Sequence, residues 1–407
     1  MLPPEAQMKD SSSDTSLGTS ADTLAGTLAD TFAERLIAWQ AEHGRHDLPW
    51  QNTRDAYRIW LSEIMLQQTQ VATVIPYYGR FLERFPDVAA LASAPQDDVM
   101  ALWSGLGYYS RARNLHRCAQ VVVAEHGGRF PADPETLATL PGIGRSTAAA
   151  IAAFAYDAHA AILDGNVKRV LARVFGIEGF PGTPKIEREM WTLAESLLPQ
   201  RDLPAYTQGM MDLGATLCGR GKPRCGECPF DSDCVAHATG RERTLPTSKP
   251  KKAQPERYVD VLVIRAGDRV LFERRPDSGI WGGLWSLPEL TPPTDTREAD
   301  DASLRARLTG HATALGARLG PVQSLVPLQG LTHVFTHFKL HLRPWLVTLS
   351  ANGESTASTA STALGDASRA WLDGAGVVAA GLPSPIRKIA DALSLRASDQ
   401  GQLSLST

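Results

Sequence analysis

Four cysteines gathered in one short segment constrain this chain more than any other feature. They are Cys218, Cys225, Cys228 and Cys234. Four thiolates so close together can close a loop around one metal centre and hold a segment with little apolar core of its own. A structural zinc site is typically built from paired Cys-x2-Cys ligands, whereas an iron–sulfur cluster accepts four cysteines at irregular spacings. The irregular spacing therefore favours a cluster, with a zinc loop and four unrelated buried cysteines as the alternatives.

The rest of the composition indicates a reducing compartment and no membrane. The fifth cysteine, Cys118, lies in a helical pattern where a small buried side chain is the ordinary outcome, so no disulfide framework is expected. Residues 1–30 hold Lys9 against five acidic residues, which is unlike a signal or transit peptide and predicts a disordered acidic tail. No apolar run is long enough to span a bilayer, so we expect a soluble, intracellular protein. We also expect it to be a monomer.

Charge is distributed unevenly along the 407 residues, and this distribution matters more than the net charge of −3. Basic residues gather inside the cysteine loop and directly after it. They are Arg220, Lys222, Arg224, Arg241, Arg243, Lys249, Lys251, Lys252 and Arg257. Phosphate contacts need a local basic footprint of this kind, which favours a nucleic-acid partner. A solvated linker has the same composition and remains the alternative.

The first part of the chain predicts an all-α domain. Residues 31–240 show helical patterns broken by glycine and proline, and the cysteine loop, 218–234, closes this region. A basic, polar linker follows at 241–257.

Beyond the linker, the apolar period changes from helical to two, which predicts an α+β domain over residues 258–397. The alternating runs 258–265 and 269–274 flank an Ala-Gly-Asp turn and predict a β-hairpin. A further strand is predicted over 334–345, and a disordered tail over 398–407.

A Leu-Pro-Gly-Ile-Gly turn at 140–144 joins two helical patterns. Proline ends the first helix, while Gly142 and Gly144 permit positive φ and the close approach of another backbone. Ser146 or Thr147 can cap the second helix. Amides at the start of that helix would form an anion site for a DNA phosphate, although some such turns serve only the fold.

Three features together carry a family resemblance: the turn at 140–144, Asp164 in a Leu-Asp-Gly-Asn-Val-Lys motif, and the cysteine loop. In order and interval they resemble the helix–hairpin–helix base-excision DNA glycosylases, in the iron–sulfur branch that includes endonuclease III. Residues 60–71 and 105–113 are similar to the branch that removes adenine mispaired with 8-oxoguanine. The resemblance covers about residues 33–395 and implies one [4Fe-4S] cluster held by the four cysteines.

The resemblance implies two catalytic carboxylates, Glu63 and Asp164. Adenine is a poor leaving group as an anion, so Glu63 would protonate it, on a helix whose apolar neighbours favour the protonated acid. Asp164 would stabilise an oxocarbenium-like sugar, and Asn166 would position Asp164 or the water by hydrogen bonding. Taken alone, Glu63 has the pattern of a solvated helix residue and Asp164 that of a helix N-cap.

The resemblance also implies DNA contacts in the helical domain. Adenine must leave the duplex before it can react, and Gln68 and Tyr108 match the residues that fill the gap. Trp50 is assigned to the adenine pocket, with a core role as the alternative. Lyases of the endonuclease III type carry a lysine where this chain has Ser146, so we expect a monofunctional glycosylase. Lys168 would contact phosphate or solvent.

The C-terminal domain resembles the Nudix fold through its hairpin and the motif at 281–289. A working Nudix hydrolase needs a dense glutamate array to hold magnesium. The helical pattern that follows offers only Glu298, Asp300 and Asp301, in the wrong arrangement. We therefore expect a domain that has lost the metal chemistry and kept recognition.

Recognition of the lesion is assigned to a short motif in this domain. Members of the family read 8-oxoguanine with a Phe-Ser-His strand, for which this chain has Phe335, Thr336 and His337. Threonine keeps the hydroxyl and adds a methyl group, so we expect lesion discrimination through polar contacts.

These features predict an adenine-specific DNA glycosylase of the bacterial cytoplasm. Its substrate would be double-stranded DNA with A:8-oxoguanine mispairs and, less well, A:G mispairs. Three alternatives remain: a bifunctional pyrimidine glycosylase and lyase, a non-catalytic iron–sulfur DNA-binding module, and a Nudix hydrolase. Ser146 and the additional C-terminal domain oppose the first, the two carboxylates oppose the second, and the missing glutamate array opposes the third.

The last residues of the chain suggest a second partner. Gln402, Leu403, Ser404 and Leu405 resemble the pentapeptide by which bacterial repair proteins dock on the sliding clamp. Ser406 stands where that motif has an aromatic residue, which would weaken docking, and a plain solvated tail is the alternative.

Overall fold

The computed structural model describes residues 18–249, 253–290, 301–315, 322–349 and 368–393. The chain divides into two compact units. The first unit is residues 1–63 with 130–250, and the second is residues 64–129 with 251–407.

The described part of the first unit is helical. Its helices are α1 (Gly18–His43), most of α2 (Ala56–Leu66), α7 (Pro134–Thr139), α8 (Arg145–Tyr156), α9 (Gly165–Val174), α10 (Pro184–Ser196), α11 (Leu203–Asp212) and α12 (Val235–Ala238). A π-helical turn, Leu213–Leu217, extends α11, and a 3-10 turn, Cys225–Glu227, lies inside the cysteine loop.

Aromatic packing ties α1 to the cysteine loop in the core of this unit. Phe32 stacks on Phe230 with 4.3 Å between ring centroids and lies 5.7 Å from Phe175. Leu28 is also buried in this core. The predicted disordered tail of residues 1–30 is therefore wrong for residues 18–30, because α1 begins at Gly18 and its last turns carry apolar residues that pack.

The second unit combines helices and a sheet. Its helices are α3 (Val71–Arg84), α4 (Val88–Ser93), α5 (Gln96–Trp103), α6 (Ser110–His126), α13 (Asp301–Leu315), α14 (Gly374–Ala379) and α15 (Ser384–Ala392). Its strands are β1 (Glu256–Ala266), β2 (Arg269–Arg274), β3 (Trp285–Ser286), β4 (Glu289–Leu290), β5 (Val322–Pro327), β6 (Leu331–Val334), β7 (Lys339–Leu349) and β8 (Arg369–Leu372).

The sheet is built around β1, which pairs antiparallel with β2 and parallel with β7. The order β3-β2-β1-β7-β5 forms the main path, while β4 pairs with β1, β6 with β7 and β8 with β2. One face carries an apolar core that includes Leu262, Trp345 and Leu308 of α13. The predicted hairpin is confirmed, since β1 and β2 are joined through the Gly267–Asp268 turn.

Two expectations need adjustment in this unit. The strand predicted over 334–345 is confirmed for 339–345, which lie in β7, and is wrong for 335–338, which form a turn between β6 and β7. Phe335 N donates to Phe338 O at 2.9 Å and closes that turn. The predicted order of an all-α region followed by an α+β region is confirmed. In space, however, residues 64–129 cluster with the sheet rather than with the other helices.

Contacts within the second unit explain this clustering. Ser104 Oγ donates to the carbonyl of Leu382 at 2.9 Å, and Arg274 Nη2 lies 2.6 Å from Asp97 Oδ1. These bonds join α5 and the segment after it to parts of the chain that are distant in sequence. They explain why residues 64–129 belong to the same compact unit as the sheet.

Candidate active site

The turn at 140–144 joins α7 to α8 as a helix–hairpin–helix. Gly142 has φ of +80°, and Gly144 is the N-cap residue of α8, without a side-chain capping bond. Both glycines are exposed, as amides that meet a phosphate must be. The prediction that Ser146 or Thr147 caps α8 is wrong, because both lie inside its first turn. Ser146 Oγ instead accepts a hydrogen bond from Leu163 N at 2.9 Å.

Asp164 begins α9 as its N-cap residue. One carboxylate oxygen, Oδ1, accepts hydrogen bonds from the backbone amides of Asn166 (2.9 Å) and Val167 (2.8 Å). The other oxygen, Oδ2, lies 3.4 Å from Asn166 Nδ2. The carboxylate is thus held at the N-terminus of α9, and its Oδ2 is only weakly hydrogen-bonded. A role as N-cap is therefore compatible with a catalytic role.

Glu63 lies in the last turns of α2, between the fully buried Trp60 and Ile64. The residue as a whole is half-buried, while its carboxyl group is enclosed by protein atoms. Burial of the carboxyl, reinforced by the negative charge of Asp164, raises the pKa of Glu63 from 4.5 to about 8. A carboxyl group with such a pKa holds a proton at neutral pH and can donate it.

Two other predicted residues have structural partners in this unit. Lys168 Nζ lies 2.6 Å from Glu187 Oε1, so the amine is held in an ion pair on α9 and α10. This pair competes with the expected phosphate or solvent contact. Trp50 is buried, with 8% of its surface exposed, which fits the core role that the sequence left open.

The four predicted cysteines converge on one pocket of the first unit. Cys218, Cys225, Cys228 and Cys234 all line it. Burial, with a smaller contribution from the other three thiols, raises the pKa of Cys228 to about 12. Such a thiol loses its proton readily only to a metal centre, and four soft donors around one pocket fit an iron–sulfur cluster.

A mixed set of donors lies beside the thiols. Cys225, His237 and Glu242 have ligand atoms within 4.8 Å of one another, which is the arrangement a zinc site would use. Both ring nitrogens of His237 are already engaged, Nδ1 by Glu242 at 2.9 Å and Nε2 by Asp231 at 3.2 Å. The four cysteines, which include Cys225, are the larger set of soft donors and fit a cluster better than this mixed set does.

Two buried arginines that the sequence did not predict connect α9 to the cysteine loop. Arg169 donates through Nη2 to Asn166 Oδ1 (2.8 Å) and through Nε to the carbonyl of Cys218 (2.7 Å). Arg173 Nη1 lies 3.2 Å from Cys218 Sγ. The four-residue spacing of the two arginines, which places them on one helix face, was the available signal.

The second unit carries Gln68 and Tyr108, the two residues predicted to fill the space that an extruded adenine leaves in the duplex. Gln68 lies in the turn between α2 and α3, and Tyr108 lies in the turn between α5 and α6. Both have positive φ, +58° for Gln68 and +49° for Tyr108. Tyr108 is 48% exposed although it is aromatic, as a side chain that enters a base stack must be.

Tyr108 and the predicted lesion reader share a pocket. Tyr108, Phe335 and Thr336 all line it, together with Trp281 and His333. The structure thus brings together residues that are more than 200 positions apart in the chain. The side chain of His337 packs beside Phe338, at 4.8 Å between ring centroids.

Neighbouring aromatic rings and one amide hold the turn that carries Phe335. Phe335 stacks on Phe338 at 4.6 Å and has the ring of His333 edge-on at 4.6 Å. Gln254 Nε2 donates to the carbonyl of Thr336 at 3.2 Å. The sequence did not indicate Gln254, because it lies in the stretch predicted to be a linker.

Some predictions fall outside the described residues. These are the acidic residues Glu298 and Asp300, the clamp-like residues 402–406, and the tail 398–407. None of the described helices combines the length and the apolar character needed to cross a membrane.

Comparison with known proteins finds families and relatives that match both regions of the chain. The profile of the HhH-GPD superfamily base excision DNA repair proteins matches residues 61–196, and that of the NUDIX domain matches residues 260–392. The adenine DNA glycosylase of Buchnera aphidicola (subspecies from Acyrthosiphon pisum) is 34% identical, covering 87% of this chain and 95% of the relative. The adenine DNA glycosylase of Rattus norvegicus is 36% identical, covering 80% of this chain and 71% of the relative. A thermostable thymine-DNA glycosylase is 29% identical with a TM-score of 0.49, covering 53% of this chain and 99% of that structure.

Proposed function

Because this chain belongs to the adenine DNA glycosylases, the base excision repair enzymes that remove adenine from DNA, we propose that it acts on adenine opposite 8-oxoguanine. Adenine opposite guanine would be a poorer substrate. The observation that carries the proposal is the enclosed carboxyl group of Glu63, because its burial and the negative charge of Asp164 raise the pKa of Glu63 to about 8.

In the first step, Glu63 donates its proton to N7 of the extruded adenine. Protonation turns the base into a neutral leaving group, and the N-glycosidic bond then breaks with its electron pair going to the base. The resulting Glu63 carboxylate can afterwards take a proton from the attacking water.

In the second step, Asp164 stabilises the oxocarbenium-like sugar. One of its oxygens is fixed by two amides of α9, while the other lies 3.4 Å from Asn166 Nδ2 and has capacity left for the cation. A carboxylate held in advance of the reaction stabilises developing positive charge without reorganisation. Asn166 orients that second oxygen.

Extrusion of adenine would be the task of Gln68 and Tyr108, which fill the space that the base leaves. The exposed amides at Gly142 and Gly144 would bind a phosphate of the same duplex. Ser146 supplies no amine, and Lys168 is paired with Glu187, so the enzyme would release the base and leave the strand intact.

The shared pocket of Tyr108, Phe335 and Thr336 supports lesion recognition. A hydroxyl beside two aromatic rings can bind the altered edge of 8-oxoguanine while the rings pack on its face. His337 lies next in the turn and would add a contact to the DNA.

The four cysteines support one [4Fe-4S] cluster as the resident cofactor. When bound, such a cluster cross-links the loop through four metal–thiolate bonds. Arg173, with Nη1 3.2 Å from Cys218 Sγ, would then donate a charged hydrogen bond to a ligand sulfur. Absorbance in the visible thiolate-to-iron region, together with equal iron and sulfide content, tests this assignment against zinc.

The clamp-like residues support a weaker proposal. A peptide of residues 399–407 should bind a bacterial sliding clamp, with the two leucines in an apolar groove. Replacing both Leu403 and Leu405 with alanine should abolish binding. Equal signals from both peptides at high micromolar concentration would show that the tail is not a docking segment.

One strand-cleavage assay tests the function as a whole. Duplexes that contain A:8-oxoguanine, A:G or thymine glycol are incubated with the holoenzyme, with and without hot alkali afterwards. We expect alkali-dependent cleavage at adenine, fastest opposite 8-oxoguanine. Cleavage at thymine glycol without alkali would identify a pyrimidine glycosylase and lyase instead.

A further inference from the structure

Arg111, in the first turn of α6, is a buried cation that joins two separate turns of the second unit. Its guanidinium donates to five oxygens. They are the carbonyls of Ile64 (2.9 Å), Met65 (2.9 Å), Leu106 (3.3 Å) and Gly107 (3.2 Å) and the hydroxyl of Thr69 (3.1 Å). The first two belong to the end of α2, Thr69 to the α2–α3 turn, and the last two to the α5–α6 turn.

These two turns are the ones that present Gln68 and Tyr108. Each residue has a left-handed backbone, with φ of +58° and +49°, which is strained for a residue other than glycine. Such a conformation persists only where the surroundings hold it. Arg111 contacts the chain one residue before Tyr108 and one residue after Gln68, and its guanidinium carbon lies 5.6 Å from the centroid of the Tyr108 ring.

The chemistry of the site explains why a charged side chain is stable there. The carbonyls of Ile64 and Met65 lie in the last turn of α2 (Ala56–Leu66), where carbonyls lack intrahelical partners and a cation is favourable. The ring of Trp103 lies 5.2 Å from the guanidinium carbon on another side. Burial lowers the pKa of Arg111 to about 10, which leaves the group charged at neutral pH.

We propose that Arg111 is a positioning residue for base extrusion, which fixes Gln68 and Tyr108 relative to each other so that both enter the duplex together. The inference rests on the proposed function, because it takes extrusion of the adenine as the step that these two residues serve. The planar guanidinium can reach both turns at once, whereas a lysine ammonium offers one point charge and three donors.

The test compares Arg111→Lys with Arg117→Lys, the same change at an exposed position of the same helix. A duplex carries 2-aminopurine beside the target adenine, and its fluorescence rises when the stack opens. We expect Arg111→Lys to lose most of this rise and to lower single-turnover adenine release by roughly 10²-fold, as misplacement by about 1 Å does. Arg117→Lys should behave as wild type.

A double-mutant cycle separates positioning from general stability. In a background that carries Gln68→Ala and Tyr108→Ala, Arg111→Lys should change the release rate by less than about threefold. The same loss in both backgrounds, or an unchanged fluorescence rise in the single variant, would overturn the proposal.

A milder variant serves if Arg111→Lys does not fold. Thr69→Val removes one acceptor of Arg111 beside Gln68, and its effect on the fluorescence rise should vanish when Gln68 is alanine. An effect that persists there would also overturn the proposal. The fluorescence rise needs only binding, so failure of the wild type to release adenine would count against the proposed function and leave this test intact.

Discussion

The negative charge of Asp164 acts on Glu63. Burial is the main cause that raises the pKa of Glu63 from 4.5 to about 8, and the charge of Asp164 is the second cause. Glu63 therefore keeps a proton at neutral pH that it can give to a base. A proton-donating acid paired with a second carboxyl group that faces the sugar is the arrangement that two-carboxylate glycoside hydrolysis uses.

Replacing Glu63 with glutamine should preserve binding to mispaired DNA and abolish base removal. The amide has the same shape but no transferable proton, and loss of general acid catalysis costs roughly 10²–10⁴-fold. Single-turnover rates with A:8-oxoguanine duplex measure the loss, and Glu83→Gln, an exposed glutamate, is the matched control. A rate within about tenfold of wild type would assign the proton to another residue.

The raised pKa of Glu63 also predicts how stability depends on pH. Between pH 4.5 and about 8, the folded state holds the proton of Glu63 more tightly than the unfolded state does. The contribution of this proton to the free energy of unfolding is therefore full below pH 4.5 and is lost as the pH rises through about 8. Glu63→Gln cannot ionise and escapes this loss. Its Tm should therefore exceed that of wild type more at about pH 9 than at about pH 5. A constant Tm difference would mean that the carboxyl titrates normally.

Replacing Asp164 with asparagine should remove the negative charge and keep the N-cap of α9. Asparagine is as good an N-cap residue as aspartate, so stability should hold while the rate falls, since the amide cannot balance the cationic sugar. Asp164→Ala should lose the rate and, in addition, about 1 kcal/mol of stability from the lost cap. Urea unfolding and single-turnover kinetics of both variants measure the two effects, and full activity of the asparagine variant would contradict the assigned role.

Much of the helical region could be predicted from local sequence. The turn predicted at 140–144 does join two helices, α7 and α8, which end and begin on either side of it. Local signals failed where the partner was distant. Ser146 follows Gly144 closely enough to suggest a cap, but its hydroxyl bonds to Leu163 N instead.

The rest of the site depends on contacts that no sequence pattern encodes. Arg111, Arg169 and Arg173 are buried, and most of their partners are backbone carbonyls, which are the same for every residue type. The turn at 335–338 was missed for a related reason. Residues 331–338 contain no glycine or proline that would mark a turn, and only pairing of Val334 with Lys339 shows that the chain reverses.

Replacing Ser146 with lysine should create strand nicking that borohydride traps, because an amine would stand where the lyases carry theirs. The change also removes the acceptor of Leu163 N, directly before Asp164, which costs about 1–3 kcal/mol for an unsatisfied amide. Ser146→Ala shares that cost without the amine and is the control. Trapped complex that does not exceed the alanine variant would place Ser146 away from the reacting sugar.

Two opposite changes at Thr336 should separate its hydroxyl from its methyl group. Thr336 lines the pocket with Tyr108 and Phe335, where a hydroxyl can hydrogen-bond to the lesion. Thr336→Val keeps the volume and removes the hydroxyl, so the preference for 8-oxoguanine over guanine should fall by about 1–3 kcal/mol. Thr336→Ser keeps the hydroxyl and should retain the preference.

The ratio of single-turnover rates on A:8-oxoguanine and A:G duplexes measures this preference. Thr332→Val removes a hydroxyl from the same hairpin, where Oγ1 lies 3.0 Å from His341 Nδ1, and should leave the ratio unchanged. If Thr332→Val lowers the ratio as much as Thr336→Val does, the hairpin as a whole matters and Thr336 has no specific contact. If neither variant lowers it, the hydroxyl of Thr336 does not carry the discrimination, and other residues that line the pocket must do so.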